Sequence, residues 1–155
     1  MTESGSLAGS RCETNMEDME IARSVLEEGV WSLVIVKDGL VLFRSEEHGV
    51  APFFKAVRSM DKSLHNAAAA DRIVGSAVAM LCLHAGIASV YAAVASRPAL
   101  DLLQQRGVTV SSPDVVPHIS NHDGTGSCPF ELLASNAGSP AQLYSALETM
   151  FGGPE

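Results

Sequence analysis

Basic residues are few and scattered. The chain of 155 residues holds 10 Lys and Arg against 18 Asp and Glu, a formal charge of −8. A nucleic-acid partner needs a basic stripe to follow the phosphate backbone, so the charge argues against nucleic acid as the main partner, and the acidity serves solubility. Cysteine is scarce as well. Cys12, Cys82 and Cys128 lack the spacing of a zinc ribbon or a disulfide framework, which makes a reducing cytoplasm the expected setting. The first residues, Met1 to Thr14, lack the apolar core of a signal peptide. No internal repeat is present.

Charge is also missing from Ile73 to Ala95, a run long enough to span a bilayer. His84-Ala85-Gly86 interrupts it, and the composition changes there from Ala/Met/Leu at helical spacing to the strand-like Ile87 to Ala95. An internal helix followed by a buried strand accounts for the run, and no membrane partner is expected.

What remains is an amphipathic and β-branched pattern of one domain, residues 15–155, behind a disordered tail over residues 1–14. A helix is expected from Asn15 or Glu17 to Gly29. Trp31 to Val36 and Leu40 to Phe43 flank an Asp38-Gly39 turn and predict a hairpin. Val50 to Met60 reads as a helix with Phe53, Phe54 and Val57 inward. Asn66 to Asp71 is ambiguous between a strand and a helix lead-in, and Asp71 is a fair N-cap for an apolar helix from Arg72 to Leu83. Gly75 within that helix costs about 1 kcal/mol relative to alanine and so marks close approach by a neighbour or ligand. A strand ending at Ser96, a helix from Pro98 to Gln105, short strands at Val108–Ser111 and Val115–Ile119, and helices at Phe130–Ser135 and Pro140–Phe151 complete the order. Leu143, Leu147 and Met150 are expected inward on the last helix. Helices alternating with a buried sheet predict an α/β protein, a three-layer α/β/α sandwich with a mixed, roughly five-stranded sheet.

The stretch Asn121 to Glu131 looks least like packing material. Asp123-Gly124-Thr125-Gly126 reads as a tight loop whose N–H groups can converge on an anion or polar ligand, or as an ordinary turn. Pro129 suits the first position of a helix and Glu131 the third, which puts Cys128 at the N-cap. A thiol there is either activated by the helix dipole or a small buried cap. Ser96 and Arg97, at another helix start, can take a phosphate or serve as cap and surface cation. His118 and His122 with Cys128 lack metal-site spacing, so no metal and no cofactor is expected. His48, His65 and His84 read as surface or capping residues.

An antiparallel hairpin followed by helix–strand–helix–strand resembles the cytidine-deaminase-like fold. More closely, the chain resembles a family carrying the domain-of-unknown-function label 1893. The likeness lies in Asp71-Arg72-Ile73-Val74-Gly75 and in Val115-Val116-Pro117 leading to Asn121-x-Asp123-Gly124-Thr125-Gly126-x-Cys128-Pro129. It runs from about Ala22 to the C-terminus. Two positions depart from the family pattern: Ser76 and His122 stand where the resemblance implies basic residues. Zinc deaminases use His-x-Glu at one helix start and Pro-Cys-x-x-Cys at the next. The starts expected here, Asp71-Arg72-Ile73 and Ser96-Arg97-Pro98, carry neither. The resemblance therefore implies a pocket without zinc, with Asp71 as acid/base or acceptor and Cys128 as a thiol. Arg72, Gly75, Ser96, Arg97, Asn121, Asp123, Gly124, Thr125 and Gly126 would surround a small polar or nucleotide-like ligand. The alternative is a non-catalytic regulatory or protein-interaction module on the same fold. Homo-oligomerisation is left open.

Overall fold

The computed structural model describes residues 3–117 and 129–152. Helix α1 spans Glu3–Glu27, and the hairpin follows as β1 (Leu33–Lys37) and β2 (Leu40–Ser45). Helix α2 (Ala51–Met60) and a 3-10 turn (Asp61–Leu64) lead to β3 (Ala68–Val74). Then come α3 (Ser76–Ala85), β4 (Ser89–Ser96), α4 (Arg97–Gln105), β5 (Thr109–Ser111) and β6 (Asp114–Val116). Helices α5 (Pro129–Asn136) and α6 (Pro140–Leu147) follow, and α6 ends in a π turn, Glu148–Gly152.

The sheet runs β2-β1-β3-β4-β5, with β6 also on β4. β1 is antiparallel to β2 and β3, whereas β3, β4, β5 and β6 are parallel. The outer edge of β4 is shared. β5 pairs with Ser89 to Tyr91 and β6 with Val94 to Ser96, so six strands fill five positions. The expected hairpin forms at Asp38-Gly39, where both residues have positive φ (53° and 80°), as a two-residue turn between twisted strands requires.

Strand alternation sorts the core into two layers. Leu33, Ile35, Ala69, Val90 and Ala92 face helices α2 to α6, packing against Phe53, Phe54, Leu81, Leu103, Leu143 and Leu147. Val34, Val36, Ala68, Ala70 and Tyr91 face the other way, onto Met19, Ala22 and Leu26 of α1. The three-layer α/β/α sandwich is thus the observed architecture, with one helix on one face and five on the other among the described residues. The apolar run from Ile73 to Ala95 divides among the end of β3, α3 and β4. Among the described residues no helix is long and apolar enough to cross a membrane.

Four local expectations are corrected. Helix α1 begins at Glu3 rather than at Asn15 or Glu17; no proline interrupts residues 3–14, and its two glycines each cost only about 1 kcal/mol. Asp71 is not an N-cap. It lies within β3, because burial between β1 and β4 overrides the helical propensity of the alanine run and the β-branched Ile73-Val74 extends the strand. Helix α3 therefore starts at Ser76, with an extended Gly75 as its N-cap. Met150 is 55% exposed, because the π turn breaks the α-helical phase that would have turned it inward.

Candidate functional site

Three parallel strands end side by side. Val74 pairs with Ala95, and Ser96 with Val116, so the ends of β3, β4 and β6 are in register. Gly75, Ser96 and Pro117 thus mark one edge of the sheet, with the starts of α3 and α4 beside it. The chain leaves this edge after Pro117 and is next described at Pro129, the first residue of α5. Asn121, Asp123, Gly124, Thr125, Gly126 and Cys128, together with His118 and His122, lie outside the described residues.

Helix α3 opens with no cap from its own chain segment. The donors are met from α5 instead. The Ser76 N–H donates to Glu131 Oε1 at 3.0 Å and the Ala77 N–H to Oε2 at 3.3 Å. A carboxylate at this position suits the positive end of the helix dipole. Sequence spacing pointed Glu131 at its own helix; the fold sends it to a neighbour. The signal that could have found it was Gly75, where a Cβ would fall onto the Glu131 carboxylate. The close approach expected at that glycine is this side chain.

Asp71 sits deeper. It pairs with Leu33 and Ala92 and shares the strand parity of Ala69, which places it on the five-helix face. It is 7% exposed. Desolvation lifts its carboxyl to about 7, partly offset by backbone N–H groups of Ile73 and Arg72 and by the Arg72 charge. The Ile73 N–H donates to Asp71 Oδ1 at 3.4 Å. Cys82 of α3 is fully buried nearby, its thiol pushed up first by desolvation and then by the Asp71 charge. Arg72 points away, donating from Nη2 to the Leu26 carbonyl of α1 at 3.2 Å.

Ser96 caps α4: its buried Oγ accepts the Ala99 N–H at 3.2 Å. Arg97 pairs with Asp101 at 3.6 Å on the surface, a contact of small energetic weight. The fold therefore brings Gly75 and Ser96 together at one edge, with Asp71 below it, and turns Arg72 and Arg97 elsewhere. The zinc of deaminases would need His or Cys at the starts of α3 and α4. Gly75-Ser76-Ala77 and Arg97-Pro98-Ala99 offer none, so these residues do not fit a zinc ion. Among the described residues, no three His, Cys, Asp or Glu side chains gather as a metal site.

Comparison with known proteins comes down on the same architecture. A family model described as Domain of unknown function (DUF1893) matches residues 21–151. The structure is similar to the crystal structure of a DUF1893 family protein from Thermotoga maritima. The TM-score is 0.79 at 27% identity, over 87% of this chain and 90% of that one. Weaker likeness is found to Acinetobacter baumannii RibD, with a TM-score of 0.47 at 17% identity, over 64% of this chain and 35% of that one. A dCMP deaminase from the cyanophage S-TIM5 gives 0.44 at 18% identity, over 64% and 97% of the two chains. No curated protein matches in sequence.

Proposed function

The chain belongs to the DUF1893 family, and from the geometry of its sheet we propose that it binds a small polar, nucleotide-like ligand at the carboxyl edge of β3, β4 and β6. The observation that supports this reading is the convergence there of Gly75, Ser96 and Pro117. In open α/β sheets ligands enter the crevice outside the carboxyl ends of parallel strands. The glycine-rich segment connects Pro117 to Pro129 and so begins and ends beside that edge. In this reading Asn121, Asp123 and the N–H groups of Gly124, Thr125 and Gly126 hold the ligand. Cys128, directly before α5, supplies a reactive thiol. Asp71, with its carboxyl near 7, holds a proton beneath the edge.

A specific observation favours the second reading, a regulatory or protein-interaction module. The described candidates Arg72, Ser96 and Arg97, and Glu131 beside them, already have structural partners. Glu131 satisfies the first donors of α3, Ser96 caps α4, Arg72 holds α1, and Arg97 pairs with Asp101. Thermal-shift measurement against a panel of nucleotides and metabolites separates the two. Ligand-dependent stabilisation that Asp123→Ala abolishes supports the pocket. No hit across the panel, with a protein partner co-purifying, supports the module.

A further inference from the structure

A cleft of about 560 Å³ opens at the far end of α3. His65 and Gly86 line it, before β3 and β4 respectively, and the Asn66 N–H beside His65 donates to the Gly86 carbonyl at 2.8 Å. The cleft thus lies at the amino edge of these strands, about 15 Å along α3 from Ser76. It is independent of the site above. Its apolar part is Val57 and Leu83; its polar part is Asp61, Lys62, His65 and His84.

Three features bear on what this cleft can hold. First, Asp61, Lys62 and His65 are exposed, line one cavity and make no side-chain hydrogen bond or ion pair among the described residues, so all three are available to a ligand there. Second, Asp61 has φ 47° and ψ −120°, a backbone state that a residue with a Cβ rarely adopts, and Asn66 has φ 69°. The 3-10 turn carrying Lys62 therefore opens on a costly conformation at Asp61, as is common at binding sites. Third, His84 is stacked on Tyr144 with ring centroids 4.6 Å apart and planes 15° apart. His84 lines the cleft and Tyr144 does not, so the stacked pair stands at its wall.

We propose that this cleft binds a planar heteroaromatic ring carrying an anion, the chemistry of a nucleoside monophosphate. The ring extends the His84–Tyr144 stack over Val57 and Leu83. The anion meets Lys62 and a ring N–H of His65. Asp61 accepts from an exocyclic amine on the ring. The volume lies in the range of small-ligand sites, and stacking plus a charge-assisted contact is the usual means of holding such molecules.

Amide chemical-shift titration of the full chain tests this with adenosine monophosphate, adenosine and inorganic phosphate as probes. The expected result is that adenosine monophosphate shifts Lys62, His65, His84 and Gly86, and binds about tenfold more tightly than adenosine or phosphate alone. Lys62→Glu, a surface change that leaves the core intact, weakens it by about tenfold or more. His84→Ala, checked by thermal unfolding for retained fold, does the same. No shift in these residues at millimolar probe, equal affinity for the nucleotide and the nucleoside, or an unchanged affinity in Lys62→Glu overturns the proposal. Shifts confined to Ser76 and Ala77 would overturn it while favouring the carboxyl-edge site.

Discussion

The carboxylate of Glu131 occupies the space into which a side chain at Gly75 would project. One glycine thereby couples α3 to α5, because the same carboxylate satisfies the Ser76 and Ala77 N–H groups. Two substitutions probe that contact. Glu131→Ala removes a cap and is expected to cost about 1–2 kcal/mol. Gly75→Ala meets only the end of a flexible side chain, at a φ of −100° that alanine accepts. Its cost is the displaced cap, so it should be smaller in the Glu131→Ala background than in the parent. Urea unfolding of the two single variants and the double variant measures the coupling, expected at about 0.5 kcal/mol or more. Strict additivity would show that the two residues act separately.

Asp71 makes stability depend on pH in the unusual direction. Its carboxyl is raised in the folded chain from the ordinary 3.8 to about 7 by burial. Between those values the folded state holds a proton that the unfolded state has released. Stability should therefore fall as pH rises from about 4 to about 7 and level off above, by a contribution on the order of a few kcal/mol from this group. Asp71→Asn keeps an acceptor for the Ile73 N–H and removes the charge. It should be more stable than the parent at pH 8 and should lack this share of the slope. Denaturation of both proteins at pH 5 and pH 8 decides the matter; a variant less stable at pH 8 would mean that the ionised carboxylate has a favourable partner.

The cysteines should separate by reactivity. Cys82 is buried in α3 and its thiol is raised by desolvation and by Asp71. It should resist iodoacetamide until the chain unfolds. Cys128 directly precedes α5, so labelling there should persist well below pH 8. An unperturbed thiol slows tenfold per pH unit below about 8.5, and Cys12 serves as the internal comparison. Mass-spectrometric mapping from pH 6 to pH 9 follows all three. Cys128 tracking Cys12, or staying unlabelled in the native protein, removes the case for a reactive thiol.

Asp18 ties α1 to the hairpin. Its buried carboxylate accepts the Asp38 N–H at 2.9 Å and the Gly39 N–H at 2.8 Å. Asp18→Ala leaves two turn donors without their acceptor and should cost about 2–3 kcal/mol. Asp18→Asn retains one acceptor oxygen and should recover part of that. Equilibrium unfolding by circular dichroism checks the order. A neutral Asp18→Ala would mean that water replaces the carboxylate fully.

Where hydrophobic periodicity was strong, local sequence was enough. The hairpin at Asp38-Gly39, the inward Phe53, Phe54 and Val57, the buried strand through Val90 and the Ser96 start of α4 all follow from side-chain spacing and turn chemistry within a few residues. So did the layered α/β class, since alternating helices and apolar strands can bury their faces in few ways. The stretch around Asp71 was not legible in this manner. Four alanines carry no period, and whether they extend or coil is decided by β1 on one side and β4 on the other. The role of Glu131 depended on tertiary structure for the same reason. Its partners lie 54 and 55 residues away along the chain, and only packing of α5 on α3 brings them together. The cleft at Lys62, His65 and His84 is assembled from segments on either side of β3. Sequence determines what each short segment prefers, because those preferences are local energies. Which side chains meet is set by how the layers close on the sheet, and that is a property of the whole chain.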